Sequence, residues 1–479
     1  MSSYKVLAFD FGASTGRAIL GTLDQGKLTY EEVHRFDNVP VERDGTLYWD
    51  IDALVAGIKE GIEKAGTFDG IGFDTWGVDF GLLDADGNLI TAPVHYRDGR
   101  TAGMIPEVTD RIGTERLYEL TGNQIMEINT LFQLMALKKQ PEILEKAKTL
   151  LFMPDLFAYL ISGTRVCEQC IASTSQMLNL QEVTWCKEML REVGIPSEML
   201  LPVVKSGTVT GTLPNGAKVI AVAGHDTQCA VAAVPFENSN AAFLSCGTWS
   251  LFGTELDKPI LTRESVSLEL SNELGANGKI NYLKNIVGLW LIQESRRQWG
   301  REGKQYSFSE LEKLALEAKP FQCFIDPDDT LFTPPGDMPE RVRQFCRESG
   351  QYVPQTVGEI VRCIYESLAM KYRLALEQIS QVTGKQFDML HIIGGGSQAK
   401  LLCQMAASSC GVPVAAGPVE ATAIGNMMIQ FVALGALEDI EAGRKMIAES
   451  EPLVRYHPEQ TEDWQQAYTD FMNILEKRS

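Results

Sequence analysis

Asp10-Phe11-Gly12-Ala13-Ser14-Thr15-Gly16-Arg17 lies between two apolar runs that read as β-strands, Lys5 to Asp10 and Arg17 to Leu23. The same setting recurs at Ser245-Cys246-Gly247-Thr248-Trp249-Ser250, between Ala241 to Leu244 and Trp249 to Thr254. A glycine- and hydroxyl-rich turn of this kind aims backbone N–H groups at an anion, and glycine lets a phosphate come close to the backbone. A third stretch, Gly394-Gly395-Gly396-Ser397, follows the strand-like Met389 to Ile393 and opens a predicted helix from Gln398 to Cys410. Its amides would face a phosphate at a helix N-terminus. A chain that builds the same turn twice reads as two similar halves closing on ATP. The Walker A loop is missing, and no Gly-x-Gly-x-x-Gly follows the first strand, which counts against a dehydrogenase.

The chain has 479 residues, enough for two domains. At 44% hydrophobic and 22% charged it has a globular composition. A net charge of −20 argues against nucleic acid and against an anionic membrane surface as partners. Met1-Ser2-Ser3-Tyr4-Lys5 leads straight into a strand without a signal peptide, and polar residues interrupt every apolar run, so a soluble cytoplasmic protein is expected. No obligate protein partner is evident. The ten cysteines are scattered, with Cys167-Glu168-Gln169-Cys170 the only close pair. Reduced thiols without a bound metal are expected, since a zinc site would want a second pair or a nearby histidine. Cys346 and Cys363 would bridge only if the fold brought their Cα atoms together.

Further along the chain, Asp24-Gln25-Gly26-Lys27 is a hairpin turn into Leu28 to Phe36. Asp50 to Lys64 has helical spacing, with Asp50 or Asp52 as N-cap. Gly70 to Phe73 and Val78 to Leu83 read as strands on either side of Asp74-Thr75-Trp76-Gly77. The buried run Val219 to Ala223 leads into Gly224-His225-Asp226-Thr227, and Gln228 to Val234 is helical. Pro235 to Asn240 is the turn-rich boundary and a candidate hinge, giving domains 1–237 and 238–479.

Asp10 ends its strand beside the first turn. It is a candidate to orient magnesium through water, or else it satisfies turn amides. Arg17 is a phosphate contact or a surface arginine. Asp226 is a candidate proton acceptor for a hydroxyl attacking a γ-phosphate, because ligands of α/β folds gather beyond strand carboxyl ends; the alternative is a simple helix N-cap. His225 would bind a sugar hydroxyl or serve structurally. Gly77 would admit a ligand to the backbone, and Trp76 would stack on a sugar face or belong to the core. Asp79 and Arg97 are weaker candidates for hydroxyl binding.

These segments together resemble the FGGY family of carbohydrate kinases over the whole chain. Asp10 to Arg17 and Ser245 to Ser250 are similar to its two phosphate turns. His391-Ile392-Ile393-Gly394-Gly395-Gly396-Ser397-Gln398 is similar to its adenosine motif, and Gly417-Pro418-Val419-Glu420-Ala421-Thr422-Ala423-Ile424-Gly425-Asn426 to its Glu-Ala-Thr helix start. Asp74 to Phe80, Gly224 to Thr227 and Leu283-Lys284-Asn285-Ile286-Val287-Gly288-Leu289-Trp290 resemble the rhamnulose-kinase branch of the family. The Lys and Trp of the general signature are missing around Asn129 to Gln133, and Ala399 stands where that branch usually has Asn. The resemblance implies two actin/hexokinase-like (ribonuclease H-like) α/β domains with an interdomain catalytic cleft. The first domain would be the sugar and phosphate side, the second the adenosine side. It also implies phosphorylation of L-rhamnulose at its C1 hydroxyl by ATP and Mg2+. Asp226 would be the proton acceptor, and Gly77, His225, Asp226 and Thr227 would touch the ketose. Ala13, Ser14, Thr15, Gly16, Arg17, Thr248, Asn285, Gln293 and Gly395 would touch ATP. Another ketose or polyol kinase, or an actin-fold ATPase without kinase activity, is the alternative.

Overall fold

The apolar runs of the sequence become the central strands of two sheets. The computed structural model describes residues 3–478; Met1 and Ser2 of the opening stretch, and Ser479, lie outside the described residues. Two compact units result. One comprises Met1–Pro235, Glu255–Tyr282 and Ala421–Ser450, the other Phe236–Thr254, Leu283–Glu420 and Glu451–Ser479. The chain thus changes unit at the turn-rich Pro235 to Asn240, but it returns to the first unit twice, which a single boundary does not describe.

In the first unit, β1 (Tyr4–Phe11), β2 (Thr15–Asp24) and β3 (Lys27–Asp37) form an antiparallel meander. The tight loop between β2 and β3 works because Gln25 and Gly26 both take positive φ, 49° and 80°, matching the twist of the flanking strands. On the other side of β1 lies β4 (Gly70–Asp74), parallel to it. The sheet is completed by β5 (Thr208–Thr212) and β6 (Lys218–Ala221), in the order β5-β6-β4-β1-β2-β3. Val6 to Phe9 and Phe11 are fully buried, so β1 is the centre of the core. Helix Ile51–Ala65 covers the sheet and starts at Asp50, whose Oδ1 accepts from the Ala53 N–H at 3.1 Å.

The second return of the chain has a packing reason. Helix Ala421–Ala433 is buried on nearly every face and belongs in a core. Gly425 on it faces the backbone of Cys229 so closely that any side chain would collide with it. Arg444, 5% exposed, then clamps both returning segments. It donates to Glu255 in bidentate fashion at 2.7 and 3.0 Å and to the Ala232 carbonyl at 3.1 Å.

The second unit repeats the plan. β7 (Ala241–Cys246) pairs antiparallel with β8 (Trp249–Leu256), beyond which lies β9 (Ile280–Val287). On its other side β7 pairs in parallel with β10 (Met389–Ile393), followed by β11 (Val414–Ala416) and β12 (Val454–Tyr456). The order β10-β7-β8-β9 repeats β4-β1-β2-β3. The long helix Val357–Thr383 opens with a capping box made by Thr356 and Glu359.

Three local expectations need correction. The strand predicted from Val78 begins only at Phe80, because Val78 takes φ +67° and leaves the strand region. The helix predicted from Gln398 begins at Lys400, after a single 3-10 turn over Gly395–Gln398. The N-cap of helix Asp226–Ala232 is His225; Asp226 is its first residue. Among the described residues no helix is long and apolar enough to cross a membrane.

Candidate active site

Three carboxylates converge at the carboxyl ends of parallel strands in the first unit. Asp10 is the next-to-last residue of β1, and β1–β4 register places it opposite Asp74. Beyond β4, Thr75 bridges to His225: the Thr75 N–H donates to the Gly224 carbonyl and the Asp226 N–H to the Thr75 carbonyl, both at 2.8 Å. That bridge fixes Asp226 beside the strand end that carries Asp74.

Each carboxylate has different partners. Asp10 is ion-paired to Arg17, its cross-strand neighbour on β2, and Arg17 also lies 3.8 Å from Glu32. Asp74 is fully buried; one oxygen accepts from the Asn426 amide at 2.6 Å and the other has no partner. Burial first, then the charges of Asp10 and Asp226, raise the Asp74 carboxyl well above its ordinary value. Asp226 is more open, with 34% of its side chain exposed. Its Oδ1 accepts from the Thr227 N–H at 2.6 Å and from the Thr227 hydroxyl at 3.3 Å. Desolvation raises it as well, opposed by the His225 charge and reinforced by Asp10.

His225 Nε2 lies 3.3 Å from Asp226 Oδ1, and its Nδ1 lies 3.1 Å from Glu273 Oε2. Burial opposes a charge on this imidazole, but the Glu273 hydrogen bond and the charges of Glu273, Asp226 and Glu168 outweigh it, and the net shift is upward. Gln228 donates to the same Glu273 oxygen at 2.6 Å, and the Asn281 amide donates to Gln228. The ring is thus oriented with one nitrogen toward Asp226. Behind it, Gly224 takes φ +64° with Glu168 packed against it, leaving no room for a side chain.

Gly77 is half-buried and faces Thr174, 3.3 Å from where a Cβ would stand. The same hydroxyl accepts from the Val78 N–H at 3.1 Å, and Thr130 donates to the Val78 carbonyl at 2.7 Å. These two threonines hold a β-branched residue in a conformation it rarely adopts. Asp79 is satisfied internally: it accepts from Trp49 (2.7 Å), Trp76 (3.0 Å), the Tyr96 N–H (3.1 Å) and Gln133 (2.9 Å). Trp76 stacks on Trp49 with ring centres 3.9 Å apart and is 7% exposed. Both therefore belong to the core, and neither is presented as a sugar contact.

The turn after β1 exposes Ala13 and Ser14, with Thr15 half-buried. It is closed by the Gly12 N–H donating to the Thr15 carbonyl at 2.9 Å, and Asn38 braces it through Gly12 and Ser14. Gly16 is buried against Phe36.

In the second unit the turn after β7 is two residues long. The Gly247 N–H donates to the Trp249 carbonyl at 2.8 Å, and the Thr248 hydroxyl donates to Gln293 at 3.2 Å. The Gly288 and Trp290 N–H groups donate to the Thr248 carbonyl at 3.1 and 3.2 Å, so the start of helix Trp290–Arg301 is tied to this turn. Thr248 and Gln293 are thus together. Asn285 is half-buried on β9. The three glycines after β10 divide their roles. Gly394 takes φ +80°, Gly396 packs on Cys246, and Gly395 is exposed with open space where a Cβ would stand.

Sequence reasoning missed Asp74, Glu273, Gln228, Asn281 and Asn426. Asp74 carried the same signal as Asp10 and Asp226, an aspartate ending an apolar strand. Gln228 lies two residues past Asp226 on the same helix, while Glu273, Asn281 and Asn426 come from distant segments and gave no local signal.

Comparison with known proteins agrees with this architecture. The N-terminal domain pattern of the FGGY family of carbohydrate kinases matches residues 5–243, and its C-terminal domain pattern matches residues 242–434. A rhamnulokinase of Bacteroides thetaiotaomicron is 44% identical over 486 residues, covering 98% of this chain and 99% of that protein. One from Lactiplantibacillus plantarum is 39% identical, covering 100% and 99%. Among solved structures, a ligand-bound xylulose kinase from Lactobacillus acidophilus superposes with TM-score 0.79 at 17% identity, covering 99% of this chain and 98% of that one. Plasmodium falciparum glycerol kinase with ADP gives 0.77 at 15% identity with the same coverage. At such identities the likeness concerns the fold.

Proposed function

The chain belongs to the FGGY family of carbohydrate kinases, and on that premise we propose that it transfers the γ-phosphoryl group of ATP to the C1 hydroxyl of L-rhamnulose. The observation that carries the choice of sugar is identity of 39–44% with rhamnulokinases over nearly the full length. The role of base falls to Asp226, the most exposed of the three converging carboxylates and the one whose neighbour is a fixed histidine.

Asp226 takes the proton of the C1 hydroxyl as that oxygen forms its bond to the γ-phosphorus. The bond from γ-phosphorus to the β–γ bridging oxygen breaks, and ADP leaves with that electron pair. His225, held by Glu273, hydrogen-bonds the ketose and keeps Asp226 oriented. Gly77 gives the sugar access to backbone. Ala13 to Arg17 meet the phosphates in the first unit, and Thr248, Asn285, Gln293 and Gly395 are the nucleotide residues of the second. The fit to magnesium rests on hard carboxylate oxygens, Asp10 foremost, with the unpartnered buried oxygen of Asp74 beside it. Magnesium, when bound, supplies positive charge to the phosphates.

A coupled ADP-release assay across L-rhamnulose, xylulose and glycerol tests the reading. L-rhamnulose is expected to be turned over fastest, with product phosphorus coupled to C1 by NMR. Equal or faster turnover of xylulose or glycerol would overturn the choice of sugar. ADP release indifferent to any sugar would overturn the kinase itself.

A further inference from the structure

Away from the kinase chemistry, three cysteines remote in sequence meet inside the second unit. Cys323 follows helix Phe308–Glu317, Cys346 lies on helix Met338–Glu348, and Cys363 lies on helix Val357–Thr383. Their Sγ atoms all lie within 4.8 Å of one another, and the residues are 3%, 0% and 2% exposed. All three are free thiols. This corrects the expectation of scattered cysteines: spacings of 23 and 17 residues hide a cluster that only helix packing assembles.

The surrounding structure holds the cluster in place. The Phe324 N–H donates to Gln351 at 2.8 Å, and the Gln351 N–H donates to the Cys346 carbonyl at 2.9 Å. The Ile325 N–H donates to the Ser367 hydroxyl at 2.9 Å. A small cavity lined by Cys323, Cys363, Tyr352, Arg362 and Glu366 borders two of the three thiols.

The donor set selects the ligand. It is all sulfur, and among the described residues no histidine or carboxylate joins the three. Zinc would lack its fourth ligand, and three thiolates around a divalent ion would leave a net negative charge in a buried place. A trivalent, thiophilic ion that takes three ligands meets both conditions.

We propose that Cys323, Cys346 and Cys363 form a binding site for such an ion, with arsenic(III), supplied as arsenite, as its probe. Arsenous acid, As(OH)3, reacts with three thiols. Three As–O bonds break and three As–S bonds form. Each thiol proton leaves with a hydroxide as water. Arsenic keeps its oxidation state, and reactants and product are both neutral.

The full-length reduced chain, mixed with arsenite, is expected to gain one arsenic atom and lose three hydrogens by native mass spectrometry. Its melting temperature should rise, since the ion joins three segments. Arsenite should also protect these three cysteines, and not Cys410, from alkylation in the wild-type chain. Cys323→Ser, Cys346→Ser and Cys363→Ser should each lose the three-bond adduct, and Cys410→Ser should keep it. The proposal fails if the wild type takes up no arsenic, if alkylation of the three cysteines is unaffected, or if Cys323→Ser binds as well as wild type, which would leave only a dithiol pair.

Discussion

The turn after β1 and the turn after β7 occupy the same place in the same strand order, yet their chemistry differs. Across the first, the register pairs Asp10 with Arg17, an ion pair next to two further carboxylates. Across the second, the register pairs Cys246 with Ser250, and the side chains there are neutral: Ser250 bonds Tyr372 at 2.8 Å, and Thr248 bonds Gln293. The first turn is three residues long and exposed at Ala13 and Ser14. The second is two residues long and tied into the start of a helix. A duplicated scaffold therefore keeps its backbone geometry while side chains specialise. Charged groups gather on one copy, and neutral donors on the other.

Asp226→Asn is the strongest way to test that division. It keeps the shape and removes the proposed base, so kcat should fall ~100- to 10,000-fold. Sugar binding by calorimetry should change far less. Near-normal turnover would reduce Asp226 to the first residue of a helix.

The two turns can also be set against each other directly. Asp10→Asn should lower kcat by about 100-fold, since a group acting on developing charge is lost in a water-poor place. Thr248→Ala removes one neutral hydrogen bond, and its cost should stay near ~1 kcal/mol, roughly a fivefold rise in KM for ATP. Equal losses in the two variants would erase the contrast.

The glycines after β10 separate ligand binding from packing. Gly395→Val should raise KM for ATP while the melting temperature holds, because open space surrounds that position. Gly396→Ala, pressed onto Cys246, should instead cost ~1–3 kcal/mol of stability through overpacking. Thermal melting and ATP titration of both variants would show a swap if the roles were reversed.

The smallest effect concerns Glu168, packed behind Gly224. Burial holds its carboxyl up at about 7, against 4.5 when free. The folded chain thus binds this proton more tightly than the unfolded one. The stability it confers is full below the free value, and it is lost as pH rises through the window from 4.5 to about 7. Glu168→Gln should flatten the decline in melting temperature across that window. An unchanged slope would assign the decline to other buried acids such as Asp79, which is held up at about 6.

The sequence by itself determined both turns, the central strands and the strand-end aspartates, because hydrophobic runs and glycine turns are local signals carried by neighbouring residues. It also placed Asp226 and His225 together, since they are adjacent. It missed Asp74 as a member of the same set, although the same rule applied, and it offered Asp79 and Trp76 to a sugar where the fold uses them for each other and for Trp49. Only the tertiary structure decided the rest. Parallel register set Asp10 opposite Asp74, Glu273 from a segment that returns to the first unit fixed the imidazole, and helix packing brought Cys323, Cys346 and Cys363 together. Such contacts join residues tens to hundreds of positions apart. They arise from the burial of whole faces, and no short stretch of sequence encodes which distant face it will meet.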